Sequence, residues 1–331
     1  MKLVLRWCCA GVATAALLAS PALRAEEARE EPGVWTFILE NDLFYNQDRN
    51  YTNGIRLEYA TPPGHAPNWL LDPLKDSFLF PENAEFLATY AAGQNMYTPR
   101  DIGVFPPPAD QRPYAGWLYG EVSLAGENRR RFHALKISLG VVGPASLAEQ
   151  SQKFVHEIID GVEPLGWDAQ LRNEPALLIA YQRSWRMVQK ELGPFDLEVM
   201  PTVGVNLGNV FTYAAGGSSL RIGWRMPDDY GAPRIQPSIP GSSYFKATQF
   251  GAYLFAGVEG RAVARNIFLD GNSFRDGPSV DKNTWIADAQ VGVALVWPRA
   301  RVTYTHVLRT DEFEGQEHAS QFGAVSLQVA F

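Results

Sequence analysis

Four polar residues in three separate stretches of the chain have side chains suited to acid–base or metal chemistry. They are Asn41, Asp42, Thr52 and His156. A neutral histidine, with an unperturbed pKa of ~6.5, can take a proton from water at physiological pH. An aspartate close to amide or backbone oxygens can hold Ca²⁺, which would act as a Lewis acid on the scissile carbonyl. Asp42 is therefore a candidate metal ligand, His156 a candidate base, and Thr52 a candidate group for placing the water or the metal.

Each of these residues also has a purely structural interpretation. An Asn-Asp pair near a loop commonly forms an Asx turn, a threonine suits a strand, and a histidine on an amphipathic helix is commonly solvated or packed. A serine nucleophile is less favoured, because no Gly-x-Ser-x-Gly elbow occurs in the chain. Where the fold places the four residues therefore decides between the chemical and the structural interpretation.

Most of the chain consists of short stretches with strand periodicity. Runs of about ten residues with period-two alternation recur between turn signals; Ile55, Leu57 and Tyr59, for example, alternate with polar neighbours. The runs lie near 33–43, 51–61, 87–97, 114–125, 130–142, 175–187, 194–207, 211–225, 247–260, 283–298, 300–309 and 320–331. An even number of strands is what a single-chain barrel with both termini in the periplasm requires. The predicted fold is an all-β, transmembrane antiparallel barrel of about twelve strands.

The topology of such a barrel assigns each connection to one side. If the first strand runs outward, the four polar residues and the Trp167-Asp168 and Asn173-Glu174 stretches all gather at the outer rim. The stretch near 145–160 has helical spacing and is predicted to form a short helix in an extracellular loop. Two inward connections, 62–86 and 226–246, are longer than usual periplasmic turns, so each is expected to hold a short helix or an unrecognised strand.

Both ends of the chain favour the outer membrane. The last strand alternates up to Phe331, which is typical of the final strand and assembly signal of an outer-membrane barrel. At the other end, an apolar run from Trp7 to Ala19 follows a short basic region, and small residues continue to Ala25. This order is typical of a secretory signal peptide. We therefore expect residues 1–25 to be a signal peptide and 26–331 to be the barrel domain.

Composition excludes several classes of function. The chain of 331 residues has a net charge of −7, and removal of Lys2, Arg6 and Arg24 with the signal peptide leaves −10, so nucleic acid is not an expected partner. Cys8 and Cys9 are the only cysteines and lie in the signal peptide, which excludes disulfides and thiolate chemistry from the mature chain. No later apolar stretch reaches the ~18 residues of a transmembrane helix. A soluble periplasmic β-protein is the alternative, and it fits the terminal strand less well.

Four stretches resemble the outer-membrane lipid A 3'-O-deacylase family. They are ENDLFYNQDRNYTNG, RPYAGW, LGVVGPAS followed by QKFVHEII, and GWDAQLRNEP, and the resemblance extends from Trp35 to Phe331. It implies a twelve-stranded barrel that removes the 3'-linked acyloxyacyl group of lipid A by calcium-dependent ester hydrolysis. It also implies a site at the outer face, between the wall and a loop helix. By motif, Asn41 and Asp42 match the family's Asn-Asp pair. Thr52 matches its threonine on strand two and His156 its helix histidine.

Other charged residues are candidates for supporting roles. The family has a basic residue shortly after a Tyr-x-Pro, and here Arg100 follows Tyr97-Thr98-Pro99 with no lysine in the next several positions. It also has an acidic residue after the histidine, a position that either Asp160 or Glu163 could fill. Asp168 and Glu174 lie at the end of the same loop and could support the site or only close the loop.

The sequence therefore predicts an enzyme, a carboxylic ester hydrolase acting on the lipid A of lipopolysaccharide at the exterior of the bacterial outer membrane. We expect it to use Ca²⁺ and to be a monomer surrounded by outer-membrane lipids. Two alternatives stay open: a non-enzymatic pore or binding barrel, and an esterase for another lipid such as a phospholipid. Inward positions such as Arg56, Glu58 and Lys136 would partly fill the lumen and so disfavour a pore. Tyr114 and Trp117 are interpreted as members of the interfacial aromatic girdle.

Overall fold

A closed wall of antiparallel strands follows from the period-two alternation of the sequence. The computed structural model describes residues 31–42, 50–235 and 241–331, so the expected signal peptide lies outside the described residues. Within these ranges, thirteen strands pair into one sheet. They are β1 (Val34–Asn41), β2 (Asn50–Ala60), β3 (Glu85–Thr98), β4 (Ala115–Asn128), β5 (Arg131–Val142), β6 (Glu174–Trp185), β7 (Val188–Leu192), β8 (Phe195–Gly208), β9 (Phe211–Trp224), β10 (Gly251–Asn266), β11 (Trp285–Trp297), β12 (Ala300–Arg309) and β13 (Ser320–Ala330).

The sheet closes on itself with twelve strand positions. β1 pairs with β2 on one side and with β13 on the other. β6 pairs with β5 and β8, and the short β7 pairs with the part of β8 that β6 does not reach, so β6 and β7 share one position. Closure removes the open edges of the sheet except along the short β7, which pairs with β8 alone. The predicted twelve-stranded barrel is confirmed.

One strand boundary differs clearly from its prediction. β10 spans 251–266 instead of 247–260. The reason is that its inward side chains continue to alternate through Arg261 and Val263, both of which are buried. Residues 247–250 belong to the connection that precedes the strand.

Three α-helices occur in the described ranges: α1 (Asn68–Leu71), α2 (Ala148–Ile159) and α3 (Ile267–Asp270). α2 confirms the predicted loop helix, and a 3-10 turn at Pro144–Ser146 precedes it. None of these helices is long and apolar enough to cross a membrane.

Side chains fill the lumen. Near the outer end, the ring of Tyr97 stacks on Phe268 of α3 with 4.0 Å between centroids, in a buried cluster that also contains Trp117. Further inward, Arg56 forms ion pairs with Glu58 and with Glu121 across two strands. The expectation that Arg56 and Glu58 occupy the lumen is therefore confirmed.

The connection between β9 and β10 enters the lumen from the inner end. We call its described residues, 226–235 and 241–246, the lumen loop. These residues contain neither helix nor strand, so the short helix or strand expected in 226–246 does not occur in the part of the connection that the structure describes. The loop is fixed by ion pairs instead: Asp229 pairs with Arg221 and Arg301. These partners face inward from the wall, so the ion pairs hold the loop inside the lumen.

The connection between β2 and β3 takes the opposite course. It contains α1, as expected for 62–86, and packs on the external face of the wall near the inner end. Phe80 of this connection lies against Gly126 of β4, and the carbonyl of Leu79 accepts a hydrogen bond from His133 of β5 at 2.8 Å. The two long inward connections thus lie on opposite sides of the same wall.

Candidate functional site

Asn41 and Asp42 lie where β1 reaches the outer end of the barrel. Alternation directs Glu40 to the lumen, where it is 1% exposed, and places Asn41 on the external face opposite Asn53 of β2. Asp42 follows the last residue of β1 and is also buried. A buried carboxylate must be held by opposite charge or hydrogen bonds. The burial of Asp42 is therefore unlike that of a solvated turn residue.

Thr52 lies at a β-bulge. Tyr51 pairs with Tyr97 and Asn53 pairs with Met96, so Thr52 is the extra residue between two consecutive pairs. Its Oγ1 lies 2.7 Å from Oγ1 of Thr98, and both side chains are buried. The bulge therefore moves Thr52 out of regular alternation and joins it to the last residue of β3.

Helix α2 lies against the external face of β3 and β4. A Cβ at Gly116 of β4 would come within 2.1 Å of Ser146 Oγ and 2.3 Å of Ala148 Cβ, so only glycine allows this close approach. Gln94 of β3 donates a hydrogen bond to the Ser146 carbonyl at 2.6 Å. The RPYAGW stretch thus contributes the glycine that seats the helix.

The exposed surface of α2 carries an apolar stripe beside charged residues such as Lys153 and Glu157. Gln152 and His156, four residues apart, are buried toward the wall. Phe154 and Ile158 are 64% and 65% exposed on the other side. A water-exposed helix normally directs its apolar stripe inward and its polar face outward. The exposed apolar stripe therefore indicates apolar surroundings along that side of α2.

The ring of His156 is held in a defined orientation. Its Nδ1 lies 2.5 Å from the carbonyl oxygen of Val162. A carbonyl can only accept, so Nδ1 carries the hydrogen, and in the neutral ring Nε2 has the lone pair. The chain reaches this position because Asp160 adopts a left-handed conformation (φ 54°) directly after α2 and reverses the backbone. The geometry suits a base that acts through Nε2.

One arc of the wall carries all four residues predicted from sequence. Cross-strand pairs link Asn41 to Asn53, Asn53 to Met96, and Met96 to Gly116, on which the start of α2 lies. Adjacent strands are ~4.8 Å apart. The structure therefore places Asn41, Asp42 and Thr52 on neighbouring strands and His156 on the helix that covers the next two strands.

Arg100 is paired with acidic neighbours at the same rim. Its guanidinium contacts Asp101 at 3.2 Å and also Glu317 of the β12–β13 connection. The hydrogen bond from Arg100 lowers the pKa of Glu317. The pKa of Asp101 is lowered by Gln111 and then by Arg100. Arg100 thus ties two outer connections together, and a role in binding an anionic substrate stays a prediction.

The acidic candidates lie apart from the arc or face solvent. Asp160, Glu163 and Asp168 are all exposed. Glu174 is buried at the start of β6, where it accepts hydrogen bonds from the Asn209 side chain at 2.9 Å and the Ser273 backbone at 2.8 Å. These contacts connect three outer segments, so Glu174 holds the outer connections together. The choice between Asp160 and Glu163 stays open.

Two aromatic residues are not where the sequence suggested. Tyr114 and Trp117 are only 1% and 2% exposed, so their interpretation as members of the lipid-facing girdle was wrong. The ring of Tyr114 packs against Trp167, and that of Trp117 stacks on Tyr119 in the lumen cluster. Close approach of loops and lumen residues at the outer end covers both rings.

Sequence reasoning missed two partners of the site. Thr98 stands in the quoted Tyr97-Thr98-Pro99 stretch, but only the bulge in β2 brings it to Thr52. Arg234 of the lumen loop donates to Glu40 Oε1 at 3.2 Å, and the Ile235 backbone N–H donates to the same oxygen at 3.2 Å. Nothing in the local pattern around Arg234 identifies a partner so distant in sequence.

The oxygen-bearing side chains near the end of β1 suit a hard cation as ligands. Asp42 offers a carboxylate, Asn41 an amide, and Thr52 and Thr98 hydroxyls, and calcium prefers such oxygen ligands. No group of three or more His, Cys, Asp or Glu residues that could hold a metal occurs in the part of the chain that the structure describes. Asp42 would therefore be joined by amide, hydroxyl or backbone oxygens and by water.

Comparison with known proteins identifies the family. Residues 11–331 match the model of the family described as outer membrane protein LpxR. The chain belongs to the LpxR family. It is thus an outer-membrane protein with a closed barrel, and the resemblance inferred from the four stretches is confirmed.

A solved structure of the family has the same fold. LpxR from Salmonella typhimurium superposes with a TM-score of 0.75 at 18% identity, over 90% of this chain and 100% of that chain. The β domain of the Bordetella autotransporter BrkA gives a TM-score of 0.42 at 9% identity, over 92% of this chain and 100% of that one. No curated protein matches the chain.

Proposed function

We propose that this chain is a lipid A 3'-O-deacylase, a carboxylic ester hydrolase that removes the 3'-linked acyloxyacyl group of lipid A. Membership of the LpxR family and the outer-membrane barrel support the class of reaction and its location. The substrate is then lipopolysaccharide at the exterior of the outer membrane, and we expect a monomer surrounded by outer-membrane lipids.

The observation that carries the proposal is the exposed apolar stripe of α2 on the external face of the wall. His156 is buried on the wall side of this helix, while Phe154 and Ile158 are exposed on the other side. Lipid A presents acyl chains and ester bonds together at the outer leaflet. A buried base on a helix whose exposed surface carries an apolar stripe suits a lipid ester approaching from the membrane.

The residues of the chain divide the reaction between them. His156 Nε2 takes the proton from the attacking water. The other ring nitrogen, Nδ1, donates its hydrogen to the Val162 carbonyl and so keeps the lone pair on Nε2. Thr52, fixed by Thr98, orients the water or the metal. Asn41 lies on the external face and donates its amide to the developing oxyanion.

Calcium is the proposed cofactor. Asp42 would hold it, with oxygen atoms from Asn41 and the backbone completing the set. When bound, the ion supplies Lewis-acid stabilisation of the negative charge that forms on the scissile carbonyl.

Mass spectrometry of lipid A tests the proposal. Purified, refolded protein is incubated with lipid A in calcium and, in parallel, with a chelator. We expect loss of the 3'-linked acyl groups in calcium and intact lipid A with the chelator. A phospholipid panel under the same conditions separates this activity from that of a general lipid esterase. Intact lipid A in calcium, with the barrel folded, would contradict the proposal.

A further inference from the structure

The external face of the barrel has a covered region near its inner end. On β4, Leu118 is 38% exposed, whereas Leu124, which alternation places on the same face, is 1% exposed. Leu139 on the same face of β5 is 62% exposed. The β2–β3 connection, residues 61–84, produces the difference because Ala66 and Phe80 pack over Leu124.

Backbone carbonyls fix this connection to polar residues of the wall. Arg183 of β6 donates to the Phe78 carbonyl at 3.0 Å, and Tyr181 donates to the Leu79 carbonyl. His133 contacts the same Leu79 oxygen. Charged or polar groups on the lipid-facing side of a barrel are costly, most of all near the middle of the bilayer. The connection therefore satisfies a polar patch of the wall and is held there by it.

Two large aromatic side chains point away from the wall on the other side of the connection. Trp69 is 64% exposed and Phe78 is 85% exposed, although Leu70, Leu74 and neighbouring residues pack inward. Trp and Tyr are enriched where apolar and headgroup regions of a bilayer meet, and aromatic girdles mark both interfaces of a barrel. An aromatic pair at the inner end therefore lies where such a girdle is expected.

Positive charge lies beside the aromatic pair. The turn between β4 and β5 presents exposed Arg129, Arg130 and Arg131, and Asn128 of this turn donates to the Glu82 carbonyl of the connection at 3.2 Å. Basic residues at a membrane surface are attracted to anionic headgroups. Arginines at the level of the headgroups and aromatic rings nearer the acyl chains give the order expected for a phospholipid leaflet.

We propose that residues 61–84 form a phospholipid-binding surface in the inner leaflet of the outer membrane, with Trp69 and Phe78 inserted at the boundary of headgroups and acyl chains. The surface is continuous with the lipid-facing wall that carries Leu139. It is independent of the hydrolytic site, which lies at the opposite end of the barrel.

Spin labels at single cysteines test this surface. The barrel domain, residues 26–331, contains no cysteine, and it is reconstituted in vesicles of phosphatidylethanolamine and phosphatidylglycerol. Labels are attached in the Trp69→Cys and Phe78→Cys variants. Matched labels at Leu139→Cys and Phe274→Cys mark the lipid-facing wall and an exposed outer connection. Accessibility to oxygen, which partitions into lipid, is compared with accessibility to a water-soluble nickel complex.

We expect the ratio of oxygen to nickel accessibility at positions 69 and 78 to be several-fold higher than at 274 and to approach that at 139. The labelled side chains are exposed, so the substitutions leave the packing of the wall intact. A ratio at both positions equal to that at 274 would overturn the proposal. That result would place residues 61–84 in periplasmic water. A protein partner or a second copy of the chain would then be the ligand of this surface.

Discussion

His156 owes its suitability as a base to a single hydrogen bond. Because the Val162 carbonyl accepts from Nδ1, the neutral ring has its lone pair on Nε2. We expect His156→Ala to lower the rate of lipid A deacylation by ~10²–10⁴-fold, the range for loss of a general base. Release of the 3'-acyl group, followed by mass spectrometry, measures the change.

The matched control is His318→Ala, which removes an exposed histidine from an outer connection. It should retain full activity. Heat-modified mobility on gels shows whether each variant has formed a barrel. Full activity of a folded His156→Ala variant would remove this residue from the mechanism.

Asp42 is the one carboxylate proposed to hold calcium, so its removal should change the metal response itself. We expect Asp42→Asn to lose calcium stimulation and to fall by on the order of 100-fold or more in rate, since a Lewis-acid ion supplies several kcal/mol. Calcium titration of the deacylation rate measures this. Asp276→Asn, at an exposed position of an outer connection, is the control. An unchanged titration curve in the Asp42 variant would count against its metal role.

Among structural elements, the lumen loop supports the strand that carries Asn41 and Asp42. Arg234 and Glu40 form a buried ion pair at 3.2 Å, with 4% and 1% side-chain exposure. Loss of one partner from such a pair typically costs 3–5 kcal/mol, whereas replacement of both is often close to neutral. We therefore expect Arg234→Met to lower the free energy of unfolding by ~3 kcal/mol.

Glu40→Gln combined with Arg234→Met provides the comparison. The glutamine oxygen can still accept from the Ile235 backbone N–H, so the double variant should recover most of the lost stability. Urea unfolding in lipid vesicles, followed by tryptophan fluorescence, measures each value. Equal losses in the single and double variants would show that the ion pair is not the source of the effect.

The elements differ in how far their sequence specifies them. Alternation in stretches such as Ile55–Tyr59 predicts a strand because the two faces of the wall meet different surroundings. The bulge at Thr52 could not be predicted, because one extra residue shifts the register without changing residue types. Helix α2 was predicted from its apolar spacing, but the exposure of its apolar stripe was not, since periodicity does not tell which face meets the wall.

For the whole barrel, a filled lumen argues against a pore. The aromatic cluster at the outer end, the ion pairs of Arg56 and the lumen loop occupy the interior. We expect no stable conductance steps when the protein is inserted in planar bilayers, where a general porin serves as the positive control. Stable single-channel steps from the folded protein would revive the pore alternative.

The sequence predicts the strands of the barrel better than it predicts the contacts inside the lumen. Strand number and order follow from local periodicity and from closure, so the barrel could be predicted. The contents of the lumen depend on pairs such as Asp229 with Arg301, whose partners are far apart in the chain. A single sequence shows that both residues are charged but does not show that they meet.

The lumen loop also bears on how the barrel is made. Glu40 of β1 contacts Arg234, and Gln328 of β13 donates to the Ser243 carbonyl at 3.0 Å, so the loop touches both strands of the seam that closes the sheet. The first and last strands of the chain thus meet around a segment translated between them. This favours an order of biogenesis in which β9, β10 and their connection are in place before β1 joins β13, so that the loop guides the seam as it closes.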